Sequence, residues 1–193
     1  MSQPLERIRL LARLQQLTFR AKEIFMTANL SKELTKIWDI AKSIDICMMN
    51  SRDEVGSIRS RPMSVQKKFD GSFLFLTELK SGKVSDLLHD HKVGLSFAEP
   101  KTQTYLSVSG RAEVLRDEAL VKELWNPLYA AWFPNGPEDP NIAVLKVVPD
   151  KAEYWDAPAN PVIMLLGLAK AAVSGRPYAD EGAEHEKVNL QNS

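Results

Sequence analysis

The chain has 193 residues, and its 25 Lys plus Arg balance 25 Asp plus Glu, so no global field draws it to nucleic acid or to an acidic membrane surface. That length suits one domain with a sizeable core and decorations at its ends. The longest apolar run, "VIMLLGLA" at 162–169, is too short to span a bilayer, and the first residues lack the pattern of a secretory signal.

Residues 5–28 read as a helix, with Leu10, Leu14, Leu17, Ala21 and Ile24 on one narrow stripe and Arg9, Arg13, Arg20 and Lys22 opposite. Such a helix docks on its own domain, on a partner or on a membrane surface. Ser31 then suits the N-cap of a second helix over 32–43, with Leu34, Ile37, Trp38 and Ala41 on its apolar face. The boundary between N-terminal extension and main domain falls near residue 30.

After this helix the period shortens. "IDICMMN", "GSIRSRPMSV" and "GSFLFLT" read as three strands, the last two joined through the Asp-Gly turn of "KKFDG" into a hairpin. A short helix over about 82–89 precedes the strands "KVGLSFA" and "TQTYLSVSGRAEVL". In the latter, Tyr105, Ser107, Ser109, Arg111 and Glu113 alternate with Leu106, Val108, Gly110, Ala112 and Val114, which gives one wet and one buried face. A helix over 117–130 begins at Asp117 as a cap, and "FPNGPEDPN" leads to the strand "IAVLKVVPDKAEYW". A last helix is predicted over about 161–173, and residues 176–193, polar and without apolar period, read as a mobile tail behind a main domain of 31–175. About six antiparallel strands with helical insertions predict a mainly β fold, a small barrel, rather than a doubly wound sheet.

Charge is locally uneven. Residues 57–68 hold Arg59, Arg61, Lys67 and Lys68 without an acid. Further on, "TELKSGK" ends a strand and opens a helix, where Ser81 as cap, Gly82 and Lys83 would present free backbone N–H groups and a point charge to a phosphate. A plainly capped helix carries the same residues. The predicted hairpin folds Arg61 back towards this helix start, and an Arg fork beside a Lys is a common phosphate clamp. The spacing is not that of a Walker loop. Cys47 lies in an apolar run as an inert buried thiol, in keeping with a reducing cytoplasm. His89 and His91 are separated by one residue, point away from each other on a helix, and no Cys, Asp or Glu cluster completes a metal site with them.

The blocks "RPMSV…GSFLFLTELKSGKVSDL", "VGLSF", "LSVSGRAEVL" and "AEYWD" resemble, in order and spacing, the pyridoxamine 5′-phosphate oxidase-like FMN-binding split barrel, in its general stress protein 26 branch, over roughly residues 32–175. The resemblance implies an antiparallel split barrel, a homodimer and a bound FMN, with FAD as an alternative. It implies that Arg61, Ser81 and Lys83 hold the phosphate, and that Met63, Ser64, Leu76 and Thr77 line the cofactor. It further implies that Trp155 approaches the flavin of a partner subunit. Two departures stand out. Gln66 and Gly82 occupy places where the oxidase carries cations, and "WDAPANPVIM" lacks the Arg-x-His that follows the oxidase's Trp. The resemblance thus implies a flavoprotein other than a pyridoxamine phosphate oxidase, acting either as an oxidoreductase in stress response or redox metabolism, or as a flavin-binding module without turnover.

Overall fold

The computed structural model describes residues 30–156 and 184–191. The expected helices over 5–28 and 161–173 lie outside the described residues. Helix α1 covers 30–44, so Ser31 lies inside the helix rather than capping it. From position 37 onward its buried residues are Ile37 and Ala41 of the predicted stripe together with Ile40, which the stripe did not include, while Trp38 is partly exposed. Asp45 closes it with a left-handed φ of 70° and donates its N–H to the Ala41 carbonyl at 2.9 Å.

Among the described residues seven strands follow: β1 (Ile46–Arg52), β2 (Ile58–Ser64), β3 (Phe73–Glu78), β4 (Lys92–Glu99), β5 (Thr104–Leu115), β6 (Ile142–Asp156) and β7 (Glu184–Asn189). They form one antiparallel sheet in the order β2-β1-β4-β5-β6-β3, with β7 also on β6. The helices are α2 (Gly82–His89) and α3 (Glu118–Leu124), followed by a 3₁₀ turn over Pro127–Ala131. The predicted helix over 117–130 therefore breaks at Asn126-Pro127, where proline cannot continue the hydrogen-bond ladder. Asp117 caps α3 as predicted, accepting from the Leu120 N–H at 2.9 Å.

Two further expectations are corrected. The Asp-Gly turn exists, with Gly71 at φ 92° and Asp70 accepting from the Ser72 N–H, but β2 and β3 do not form a hairpin. Instead β2 pairs with β1 across a turn that the Asp53 carboxylate holds by accepting from the Val55 and Ser57 N–H groups, while β3 pairs with β6. The second concerns the tail expected to be mobile, in which Glu184–Asn189 form β7 against Lys151–Asp156.

One sheet face and the turns around it bury Met49, Phe73, Phe75, Leu95, Phe97, Leu106, Val108 and Leu145, all at most 2% exposed. Trp38 extends this core outward through a stack on Phe69 at 4.7 Å. The first half of β6 is buried on both faces, because Leu74, Ile142 and Val144 pack against Val121 and Leu124 of α3. At the bulge between Ser109 and Gly110, β5 and β6 approach so closely that a Cβ on Gly110 would lie 2.3 Å from the Val148 carbonyl oxygen. Pro62 sits on β2 at an edge of the sheet, where proline is tolerated.

Candidate functional site

Strand alternation turns Arg59, Arg61 and Met63 to one side of β2, and Arg61 reaches the helix α2. Its guanidinium donates from Nη1 to Ser51 Oγ and from Nη2 to Asp86 Oδ2, each at 2.7 Å. Ser51 Oγ in turn donates to the same Asp86 oxygen at 2.7 Å, which closes a three-membered network. Ser51 is 2% exposed and Asp86 4%, whereas the Arg61 side chain keeps 20% of its surface in contact with solvent.

Burial works against the charge on Asp86. The hydrogen bonds from Ser51 and Arg61, with the charges of Arg61 and Arg59, outweigh it and hold the carboxyl below the usual carboxylate range. Lys83, one turn earlier on α2, is half-buried. Its burial, and then the charge of Arg61, pull its ammonium pKa down, while Glu78 opposes them. The Arg61–Lys83 repulsion marks a place that would welcome an anion.

The start of α2 adjoins these cations, with Lys83 in its first turn. Ser81 gives no side-chain cap to the helix; its hydroxyl donates to the Glu78 carbonyl at 2.7 Å and lies 3.4 Å from Thr77 Oγ1. The orphan N–H groups of the first turn are therefore left to a ligand or to water. Of the residues singled out from sequence, Thr77, Ser81, Lys83 and Arg61 are thus tied to α2. Met63 lies on the Arg61 side of β2, 7% exposed, and Ser64 points the opposite way, into solvent. The Leu76 side chain packs on the cluster under α3, so only its backbone follows the strand towards Thr77. Gln66, at the place where the oxidase has a cation, is 4% exposed and bonded to the Tyr129 hydroxyl at 3.1 Å.

Trp155 stands elsewhere, on the outer face of the sheet opposite Tyr105. Its ring stacks on His185 of β7 at 5.0 Å, and His185 Nε2 lies 2.8 Å from Glu153 Oε1. A groove of about 410 Å³ on this face, bordered by Ser107, Ser109, Lys151, Glu153, Lys187 and Asn189, shares no residue with the Arg61 network. Buried in the core, the Cys47 thiol is pushed up to about 12 by its surroundings.

Asp86 and Ser51 were not foreseen. A signal for Asp86 existed: in "GKVSDLLH" it adjoins the buried Leu87 and lies three residues after Lys83, so an acid on the inner face of a short helix required a cation from elsewhere. For Ser51, nothing in the sequence distinguishes it from other strand serines.

Residues 32–179 match the family model described as pyridoxamine 5′-phosphate oxidase like. The chain belongs to that family. It is 33% identical over 170 residues to Protein bli-3 of Neurospora crassa, covering 79% of this chain and 81% of that one. It is also similar to the crystal structure of the general stress FMN/FAD binding protein of Xanthomonas citri, at 34% identity and a TM-score of 0.56 over 65% of this chain and 89% of that one. A structure described as a general stress protein 26, from Jannaschia sp. CCS1, superposes with a TM-score of 0.65 over 82% of this chain and 99% of that one; at 23% identity this likeness speaks for the fold alone. With these neighbours, the open antiparallel sheet with helical additions is the expected split barrel.

Proposed function

We propose that this protein binds a flavin, FMN by preference and FAD as the alternative, with a phosphate held by Arg61, Lys83, Ser81 and the first turn of α2. The observation that carries the reading is the junction of β2 with α2: a fixed guanidinium, a half-buried ammonium whose charge is disfavoured by its burial and then by that guanidinium, and a helix start without a side-chain cap. Each suits a phosphate monoester, and the Xanthomonas relative is described as an FMN/FAD binding protein. Met63, Ser64, Leu76 and Thr77 belong to the strands that lead into this junction and would line the ring system, mainly through backbone.

We assign the same protein a homodimeric state. The outer sheet face presents Ile46, Met48, Tyr105 and Trp155 at 55%, 41%, 38% and 37% exposure, and their strand registers place them in neighbouring rows. A second copy covering this face would remove that apolar patch from water and bring Trp155 across to its partner. Light scattering coupled to size exclusion tests this, and a monomer at micromolar concentration would refute it.

When bound, a flavin supplies hydride exchange at its ring, and the protein's part is binding, orientation and exclusion of water. The reading is an oxidoreductase of stress response or redox metabolism, placed in the cytoplasm. The lack of Arg-x-His after Trp155 argues against pyridoxamine phosphate as substrate. The visible spectrum of the purified protein tests flavin binding: a flavin band, or quenching of added FMN fluorescence, is expected, and absence of both refutes it. Arg61→Ala should weaken FMN by about 1.5–3 kcal/mol, roughly 10- to 150-fold. Anaerobic reduction of the bound flavin by NADH or NADPH separates an oxidoreductase from a module that only holds flavin.

A further inference from the structure

The Arg61 network contains a carboxylate that phosphate binding on its own does not call for. An acid within 3 Å of a phosphate-binding guanidinium lowers the positive charge of the seat, so by Coulomb's law alone Asp86 should be a hindrance. Its geometry argues otherwise. Arg61 has five N–H donors, and two of them are used on different partners, Ser51 and Asp86, which lie on different elements. A guanidinium held at two points cannot swing, and three donors stay available. Asp86 is 4% exposed and is carried on α2, the helix that also carries Ser81 and Lys83, so the pair locks β2 to the helix whose start forms the rest of the seat.

We propose that Asp86 is a positioning residue: with Ser51, its buried carboxylate holds the Arg61 guanidinium in one orientation against α2, so that Arg61 meets a phosphate monoester already ordered. The inference rests on the flavin reading above and adds a residue to it. Without Asp86, Arg61 keeps a single anchor at Ser51 and has side-chain freedom to lose when it binds a phosphate. The depressed proton affinity of Asp86 keeps it charged through the neutral range and supports the assignment.

The test compares FMN with riboflavin, which has the same ring system and no phosphate. Dissociation constants for both are measured by fluorescence quenching in wild type, Asp86→Asn, Asp86→Ala, Arg61→Ala and the double variant Arg61→Ala/Asp86→Asn. Asn keeps the volume and one acceptor oxygen while removing the charge, which guards against a folding failure in Asp86→Ala. FMN affinity is expected to fall about fivefold or more in Asp86→Asn and about tenfold or more in Asp86→Ala, with riboflavin unchanged within about twofold. On the Arg61→Ala background, Asp86→Asn should alter FMN binding by less than about twofold, since it acts through Arg61.

Tighter FMN binding in Asp86→Asn would overturn the proposal and make Asp86 a competitor of the phosphate. Equal losses for FMN and riboflavin would reduce Asp86 to a structural residue, and an undiminished effect on the Arg61→Ala background would show that it does not act through Arg61. Wild-type protein that prefers FMN to riboflavin, with Asp86 variants that keep the preference, refutes this inference alone. Wild-type protein that binds neither compound refutes the flavin reading together with it.

Discussion

Replacing Arg61 with Ala perturbs the flavin-free fold in a way that can be calculated in sign and roughly in size. The substitution removes two charge-assisted hydrogen bonds and leaves Asp86, 4% exposed, with Ser51 as its remaining partner in the network. Breaking a fully buried ion pair by deleting one member costs about 3–5 kcal/mol. The Arg61 side chain is 20% exposed, so water enters the vacated space and offsets part of that cost, leaving a loss of about 2–3 kcal/mol. For a chain of this size that is a fall in Tm of about 5–10 °C.

The loss should depend on pH in one direction. In the intact protein the folded pKa of Asp86 lies below its unfolded value, so its stabilising contribution is present above the unfolded carboxylate pKa and disappears as pH falls through the folded one. Arg61→Ala removes the hydrogen bond and the charge of Arg61 that oppose the burial of Asp86 and leaves those of Ser51 and Arg59, so the carboxyl takes up a proton more readily than in the intact protein. The gap between the two proteins is therefore widest at neutral pH and narrows as pH falls into and below the ordinary carboxylate range. Thermal melts followed by circular dichroism across that range, without added flavin, measure it. A gap of the same size at pH 7 and at pH 4, or equal melting temperatures at neutral pH, would refute the reasoning.

Gly110→Ala should be among the most damaging single-methyl insertions in this chain. Its Cβ would stand 2.3 Å from the Val148 carbonyl oxygen and 3.1 Å from the Pro149 Cα, both backbone, so β5 and β6 must separate at their bulge. Chemical denaturation should show a loss of about 3 kcal/mol, and a loss under 1 kcal/mol would show that the sheet yields there. Cys47, 1% exposed with its thiol pushed up to about 12, should not react with thiol reagents at pH 8 in the folded protein and should react fully in denaturant. Rapid labelling without denaturant would count against this packing.

The sheet was legible wherever a strand shows its own period. The alternation of β5 names its inner face residue by residue, and Asp117 announces the start of α3. Pairing was less legible. The Asp-Gly turn at 70–71 suggested a β2–β3 hairpin, because a turn signal reports where the chain bends and not which neighbour the next strand joins. Of the site, the cations were legible and their anion was not. Arg61 and Asp86 stand 25 residues apart on a strand and a helix, and only the docking of α2 makes them partners.

Strand β7 shows what a sequence reading can recover once strand lengths are compared. β6 has 15 residues, and β3 covers only its first part, from Ile142 to Val147. The edge from Lys151 to Asp156 is thus left to find another partner or to stay open, and an open edge beside a buried Tyr154 is a liability. The segment "EHEKVN" reads as tail because only Val188 is buried, yet a strand that closes an edge needs backbone more than side chains. Its placement has a functional consequence. It lays His185 on the Trp155 ring and brings it to Glu153, so the aromatic assigned to the partner's flavin is already half of a stacked pair. Any ring approaching Trp155 must either stack on its free side or displace His185, which makes β7 part of the outer face and not an appendage to it.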